Sequence, residues 1–209
     1  MLNIYLNRNN EALIIEGLTN FLETWFGKNL NSFFIDFDLL DTLELPPLLK
    51  SLYQLGAPEF MNFQNSLFPP EELHKENKTT WFLEENQSVW TSGFQKTANK
   101  TELCFKGDSE DFLEKSFNDF LIDRVFEELC FASRFFFEAE GMTCAKIKKE
   151  ILWIEKLEEF QTVYSWFEGV IIVETKSQDF QSLTYYSMTD SSFITEWEKN
   201  SGYDKFQEP

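Results

Sequence analysis

Few residues in this sequence have the types and spacing that catalysis needs. His74 is the single histidine. It follows Pro69-Pro70-Glu71-Glu72 among polar neighbours, which is the setting of an exposed loop or helix-end side chain. A Ser-His-Asp or Cys-His nucleophile would have to use it, and no G-x-S-x-G turn is present to hold a serine. Cys104, Cys130 and Cys144 are widely spaced and lack the close paired ligands of a zinc site, so no metal is expected. There is no Walker loop and no G-x-G-x-x-G, so no cofactor is expected either. Carboxylates remain: Glu84-Glu85, Asp108 with Glu110 and Asp111, and Glu127-Glu128. Acid catalysis needs two carboxylates in different environments facing one cleft. With 36 acidic residues in the chain, adjacent acids arise by chance, and no catalytic residue is assigned.

The overall charge says more. Lysine and arginine total 18 against 36 acids, a net charge of −18 over 209 residues. Phosphate backbones demand a basic surface, so nucleic acid is excluded as a ligand class. An anionic membrane surface is excluded for the same reason. A basic protein partner is favoured, because the field of the chain would steer it in. Between Glu102 and Glu140 acids outnumber bases most heavily. The three cysteines, odd in number and set among apolar residues, read as reduced thiols of a cytoplasmic protein. No apolar run suits a signal peptide or a membrane helix. The 24 phenylalanines fit a coding bias and carry no functional message.

The elements follow from periodicity. Residues 1 to 10 read as a frayed end or a short edge element. From Glu11, the apolar residues Leu13, Ile14, Leu18, Phe21, Leu22, Trp25 and Phe26 recur at helical spacing up to Gly27. Residues 29 to 41 form a mixed connector. Leu45-Pro46-Pro47 opens a second helix, Gly56 closes it and Pro58 blocks its continuation. A short helical turn begins after Pro70. Thr79 to Gln95 forms two strands around a polar Glu-Glu-Asn-Gln centre, with Gly93 allowing a bulge or a close backbone approach. Thr101 to Lys106 is a further strand, and Gly107-Asp108 turns the chain. Ser116 caps a helix running to about Ser133, with Asp119 in its first turn. Helical spacing is also read over 146 to 160. Strands flank Glu168-Gly169, another covers Ser182 to Ser187, and a last helix covers Phe193 to Lys199, capped by Ser191 or Ser192. Helices first, then segregated strands and helices, predict an α+β fold with a helix layer on one sheet.

Several of these signals, in this order, resemble the SUKH superfamily of fungal cell-wall-assembly regulators and bacterial immunity proteins. They are Leu45-Pro46 opening a helix that ends at Gly56, then Leu67-Phe68-Pro69-Pro70-Glu71-Glu72-Leu73. Glu85-Asn86-Gln87 follows, with Val89-Trp90 and Gly93 behind it. Then come the strand at 101 to 106 and Ser116-Phe117-Asn118-Asp119-Phe120-Leu121 leading into Phe126-Glu127-Glu128-Leu129. The match spans about residues 42 to 135, and the C-terminal strands more loosely. Ser88 departs from it, standing where the family usually has glycine.

The resemblance implies a single mixed, mostly antiparallel sheet with helices packed on one side. It implies one domain over residues 1 to 209, with a helical extension over about 1 to 41 and an extra helix over about 146 to 160. It also implies a protein without enzymatic activity. Bacterial members bind and neutralise toxin domains, often nucleases, whose basic clefts would attract this acidic chain. The expected partner-binding residues are the acids Glu84, Glu85, Asp108, Glu110 and Asp111, with Trp90 as an aromatic anchor. Asn86 and Gln87 are expected to satisfy backbone groups between the strands. The alternative is a regulatory or scaffold module of the same fold with an endogenous partner.

Overall fold

Helix α1, Glu11–Phe26, buries Ile14, Leu18, Phe21, Leu22 and Trp25, the stripe its periodicity predicts. The Asn10 side chain accepts the Leu13 N–H at 3.3 Å and caps its start. The computed structural model describes residues 4–26, 37–98, 100–107, 115–133, 135–140, 150–157, 160–167, 170–176 and 181–187. The expected helix at Phe193 to Lys199 lies outside them. Within the stretch read as a connector, Phe37–Thr42 forms a short helix, α2. Helix α3, Pro47–Gln54, carries proline in its first turn and buries Leu48, Leu49, Leu52 and Tyr53. Gly56 ends it with a left-handed φ of 76°, its N–H reaching the Tyr53 carbonyl at 2.9 Å. Pro58 then lies in the first turn of a further short helix, α4, Ala57–Phe60. It opens one helix as well as excluding the extension of another.

A first sheet holds β1 (Asn65–Leu67), β2 (His74–Glu76), β3 (Thr79–Glu85), β4 (Trp90–Lys96) and β5 (Thr101–Gly107). Its order is β1-β3-β4-β5, with β2 also paired to β3. The two strands expected around the polar centre at 84 to 87 are thus β3 and β4. Their register shifts between Trp81 and Leu83, opposite Gly93 and Ser92. A Cβ on Gly93 would lie 2.6 Å from the Thr79 methyl and 2.7 Å from the Trp81 ring. The strands approach too closely there for any side chain.

Helix α5, Phe117–Phe131, starts at Ser116, whose Oγ accepts the Asp119 N–H at 3.1 Å. It is buried on nearly all sides, as a helix held between two layers must be. Phe117 meets Phe82 and Phe94 of the sheet at ring distances of 5.6 and 5.8 Å, and Phe120 meets Trp90 and Phe105 at 5.9 and 5.3 Å. On another face Phe126 lies 5.4 Å from Phe21 of α1. Helix α1 is therefore a layer of this unit and not an appended extension.

A second sheet holds β6 (Phe135–Glu140), β7 (Glu150–Leu157), β8 (Phe160–Phe167), β9 (Val170–Lys176) and β10 (Gln181–Ser187), in the order β6-β10-β9-β8-β7. The strands expected on either side of Glu168-Gly169 and over 182 to 187 are β8, β9 and β10. The α+β class holds, but the single mixed sheet and single domain do not. There are two sheets, every pairing among the described strands is antiparallel, and the chain divides into two compact units. One comprises residues 7–131, the other residues 1–6 with 132–209. Strands β7 to β10 pair in succession, and β6 pairs with β10, which leaves β6 and β7 as the edges of this sheet.

The helix expected over 146 to 160 is also overturned. Residues 150–157 form strand β7, paired with β8. Its register shifts between Ile151 and Trp153, so an extra residue breaks the alternation of a strand. That break leaves Ile147, Ile151, Ile154 and Leu157 at spacings of three and four, which mimic a helix. The expectation of a frayed N-terminus fails for a different reason. Ile4 is buried, and the Tyr5 ring packs edge-on to Trp153 at 5.8 Å.

Two substitutions test this backbone. Gly93→Ala forces a methyl into the β3–β4 contact and is expected to destabilise the chain by about 1–3 kcal/mol in urea unfolding. Ser88 holds a left-handed φ of 56°, a strained conformation for a residue with a side chain. Ser88→Gly is expected to stabilise by about 0.5–1 kcal/mol. A loss of stability in Ser88→Gly would count against that strain.

Candidate partner-binding surface

The hydrogen-bonded centre of the first unit lies where the α4–β1 loop, α5 and the β3–β4 turn meet. Helix α5 carries Glu128 to this point with no solvent exposure. Its carboxylate accepts the backbone N–H of Phe63 at 2.8 Å, of Gln64 at 3.0 Å and of Asn65 at 2.5 Å. The Asn65 amide adds a bond at 2.9 Å and also reaches Glu127 at 2.8 Å. Glu127 in turn accepts Arg124 at 2.6 Å. Burial pushes the Glu128 carboxyl above its ordinary value. The donors from Phe63 and Asn65 pull it down without cancelling that effect, and the nearby Glu127 charge pushes it up further.

Glu85 continues the network. Asn65 and Glu85 are paired residues of β1 and β3, and Gln64 Nε2 donates to Glu85 Oε1 at 3.2 Å. The other carboxylate oxygen accepts the N–H of Gln87 at 2.9 Å and of Val89 at 3.3 Å. The Asn86 N–H meets the Gln64 carbonyl at 3.0 Å, and its side-chain oxygen accepts the Ser66 hydroxyl at 3.2 Å. The polar segment between β3 and β4 is thus fastened to β1 and the loop before it.

Of the six residues expected to bind a partner, the structure reassigns two. Glu85 is only 8% exposed, and its oxygens hold the turn together. Trp90 is 7% exposed and packs against Phe105 and Phe120. It starts a strand whose alternate residues, Trp90, Ser92 and Phe94, all face inward, so it is core and not an exposed anchor. Glu84 is half-buried. Asp108, Glu110 and Asp111 lie outside the described residues. His74 is exposed on β2, beside Phe68. Cys104 and Cys130 are free thiols, and burial pushes both upward in pKa.

Sequence reasoning missed the exposed apolar groups around this network. Phe63 is 49% exposed, Val89 46% and Phe131 55%. The N–H groups of Phe63 and Val89 bind Glu128 and Glu85, and Phe131 lies one helical turn beyond Glu127 and Glu128. Their only signal in the sequence was apolar type at positions that close an element, which does not separate core from surface. Three apolar side chains around a carboxylate network can seat a basic, partly apolar surface. Both oxygens of Glu128 are taken by backbone donors. Among the described residues no group of three or more His, Cys, Asp or Glu could hold a metal. No described helix is long and apolar enough to cross a membrane. No family model, curated protein or solved structure matches this chain.

Glu128→Ala leaves three backbone N–H groups, that of buried Asn65 among them, without their acceptor and is expected to destabilise by about 3–5 kcal/mol in urea unfolding. Glu128→Gln keeps one oxygen and is expected to cost about 1–3 kcal/mol. The folded state holds the Glu128 proton more tightly than the unfolded chain does. Its contribution is therefore complete below the ordinary carboxylate pKa and is lost as pH rises through the raised one. The stability gap between wild type and Glu128→Gln is expected to widen as pH falls through that window. A gap that narrows on acidification would show that the N–H donors outweigh burial.

Proposed function

We propose that this chain is a non-enzymatic cytoplasmic immunity protein that binds and neutralises a basic toxin domain of the nuclease class. The observation that carries this reading is the exposed trio Phe63, Val89 and Phe131 around the Glu85, Glu127 and Glu128 carboxylates, on a chain of net charge −18. Aromatic side chains supply the energy of a contact, and a surrounding negative field supplies the encounter rate and the preference for a basic partner. A network already locked by backbone hydrogen bonds adds little ordering cost on binding. The resemblance to the SUKH superfamily supports the same reading. The acid that meets the partner is taken as Glu127, since Glu85 and Glu128 are committed to the fold and Glu84 points to the opposite face of β3 from Glu85.

Co-expression with the toxin gene beside it is expected to restore growth. Phe63→Ala and Phe131→Ala are each expected to weaken toxin binding by about 1–2 kcal/mol, with unfolding midpoints unchanged. Association is expected to slow steeply as salt rises. Full toxicity in cells that express the folded chain, together with capture of a host protein through the same two residues, would instead favour a regulatory module with an endogenous partner.

A further inference from the structure

We propose a second site, separate from that surface, which binds a small organic phosphate. It is a cleft of about 440 Å³ at the open end of the first sheet, lined in part by Lys75, Lys78, Lys96, Glu44, Leu45 and Phe94. That volume is in the range of small-molecule sites, about 300–1,000 Å³.

Strand register brings the lysines together. Lys75 on β2 stands opposite Thr80 on β3, and Thr80 stands opposite Phe94 on β4. Lys96 lies two residues further along β4, on the same face as Phe94. Lys78 belongs to the two-residue turn between β2 and β3, where Asn77 adopts a left-handed φ of 57°. The loop between α2 and α3, residues 43–46, forms the opposite wall.

Three lysines without an ion pair share this cleft, while Lys156 and Lys176 of the second sheet likewise have none among the described residues. Lys50, Lys100, Lys106 and Lys115 each pair with a carboxylate, Asp41, Glu102, Glu76 and Asp123 respectively. Lys75, Lys78 and Lys96 make no ion pair or hydrogen bond with any described residue. All three are exposed, and strand register gathers them around one cleft in a sequence whose acids outnumber its bases two to one. Their mutual repulsion is relieved by an anion. Three separate ammonium groups suit a compact multivalent anion such as a phosphate chain. Leu45 and Phe94 are buried and give the cleft an apolar floor, which suits an organic body attached to the phosphate. Glu44 offers an acceptor for a hydroxyl or amine of that body. A nucleoside polyphosphate combines all three features.

The test is isothermal titration of the full chain with ATP and with pyrophosphate, in magnesium-free buffer. The chains compared are wild type, the triple variant K75Q/K78Q/K96Q and the control K50Q/K100Q. Saturable binding of ATP, tighter than that of pyrophosphate, is expected in wild type and control. The triple variant is expected to bind ATP about tenfold more weakly or worse. If the triple variant does not fold, K75Q and K96Q singly are each expected to weaken ATP by about threefold. The proposal is overturned by an absence of saturable ATP binding up to about 10 mM, by equal binding in the lysine variants, or by an equal loss in the control. None of these results bears on toxin binding at the Phe63 and Phe131 surface, which has its own variants.

Discussion

The first unit depends on one buried carboxylate. Glu128 sits inside the protein and takes the N–H groups of three successive residues, Phe63 to Asn65. Those donors belong to a loop that would otherwise carry unsatisfied backbone into the interior. The bonds join α5 to the strand that begins at Asn65. Through Gln64 they also reach Glu85 and the β3–β4 turn. Burying a charge is costly, and a single hydrogen-bonded partner seldom offsets it. Here several donors converge on one group, and the carboxyl still rises in pKa because desolvation remains the larger effect. Such a group specifies one arrangement more than it adds stability, because any other docking of α5 would leave both the acid and the loop without partners.

A single net charge conceals three uses of charged groups. Glu85, Glu128, Asp123 and Glu155 are buried and make hydrogen bonds within the fold. Other acids hold lysines on the surface, where a pair contributes little. Glu84 and Glu127 remain partly exposed, Glu127 within the network and Glu84 on the opposite face of β3 from Glu85. The acids available to a basic partner are thus fewer and more localised than the total suggests. Lys75, Lys78 and Lys96 are notable for sharing one cleft while none of them pairs with a carboxylate among the described residues.

The two sheets differ in how their faces are organised. In the first, α5 covers a face of alternating inward residues, and phenylalanines from helix and strands meet edge to face. In the second, buried Leu152, Trp153, Ile171 and Ile172 supply the core of strands that pair by successive hairpins. A bulge in β7 and a buried Glu155 under the Tyr164 hydroxyl interrupt its pattern.

By itself the sequence determined the elements whose signals are local. The stripe of α1, proline at the start of α3 with Gly56 at its end, the Ser116 cap, the paired strands around residues 84 to 87 and the close approach at Gly93 all depend on neighbours within a few positions. Tertiary structure decided what depends on distant partners. Strand β7 carried helix-like spacing because its bulge is visible only against β8. The division into two sheets rests on which strands pair, and pairing leaves no mark in any one strand. Burial decided the roles of the acids as well. Glu84 and Glu85 are adjacent and chemically near-identical, yet side chains of a strand point alternately to opposite faces. Glu85 therefore closes a turn inside the fold, and Glu84 stays within reach of solvent. Trp90 was moved from anchor to core by the same alternation, because α5, far along the chain, covers the face it points to.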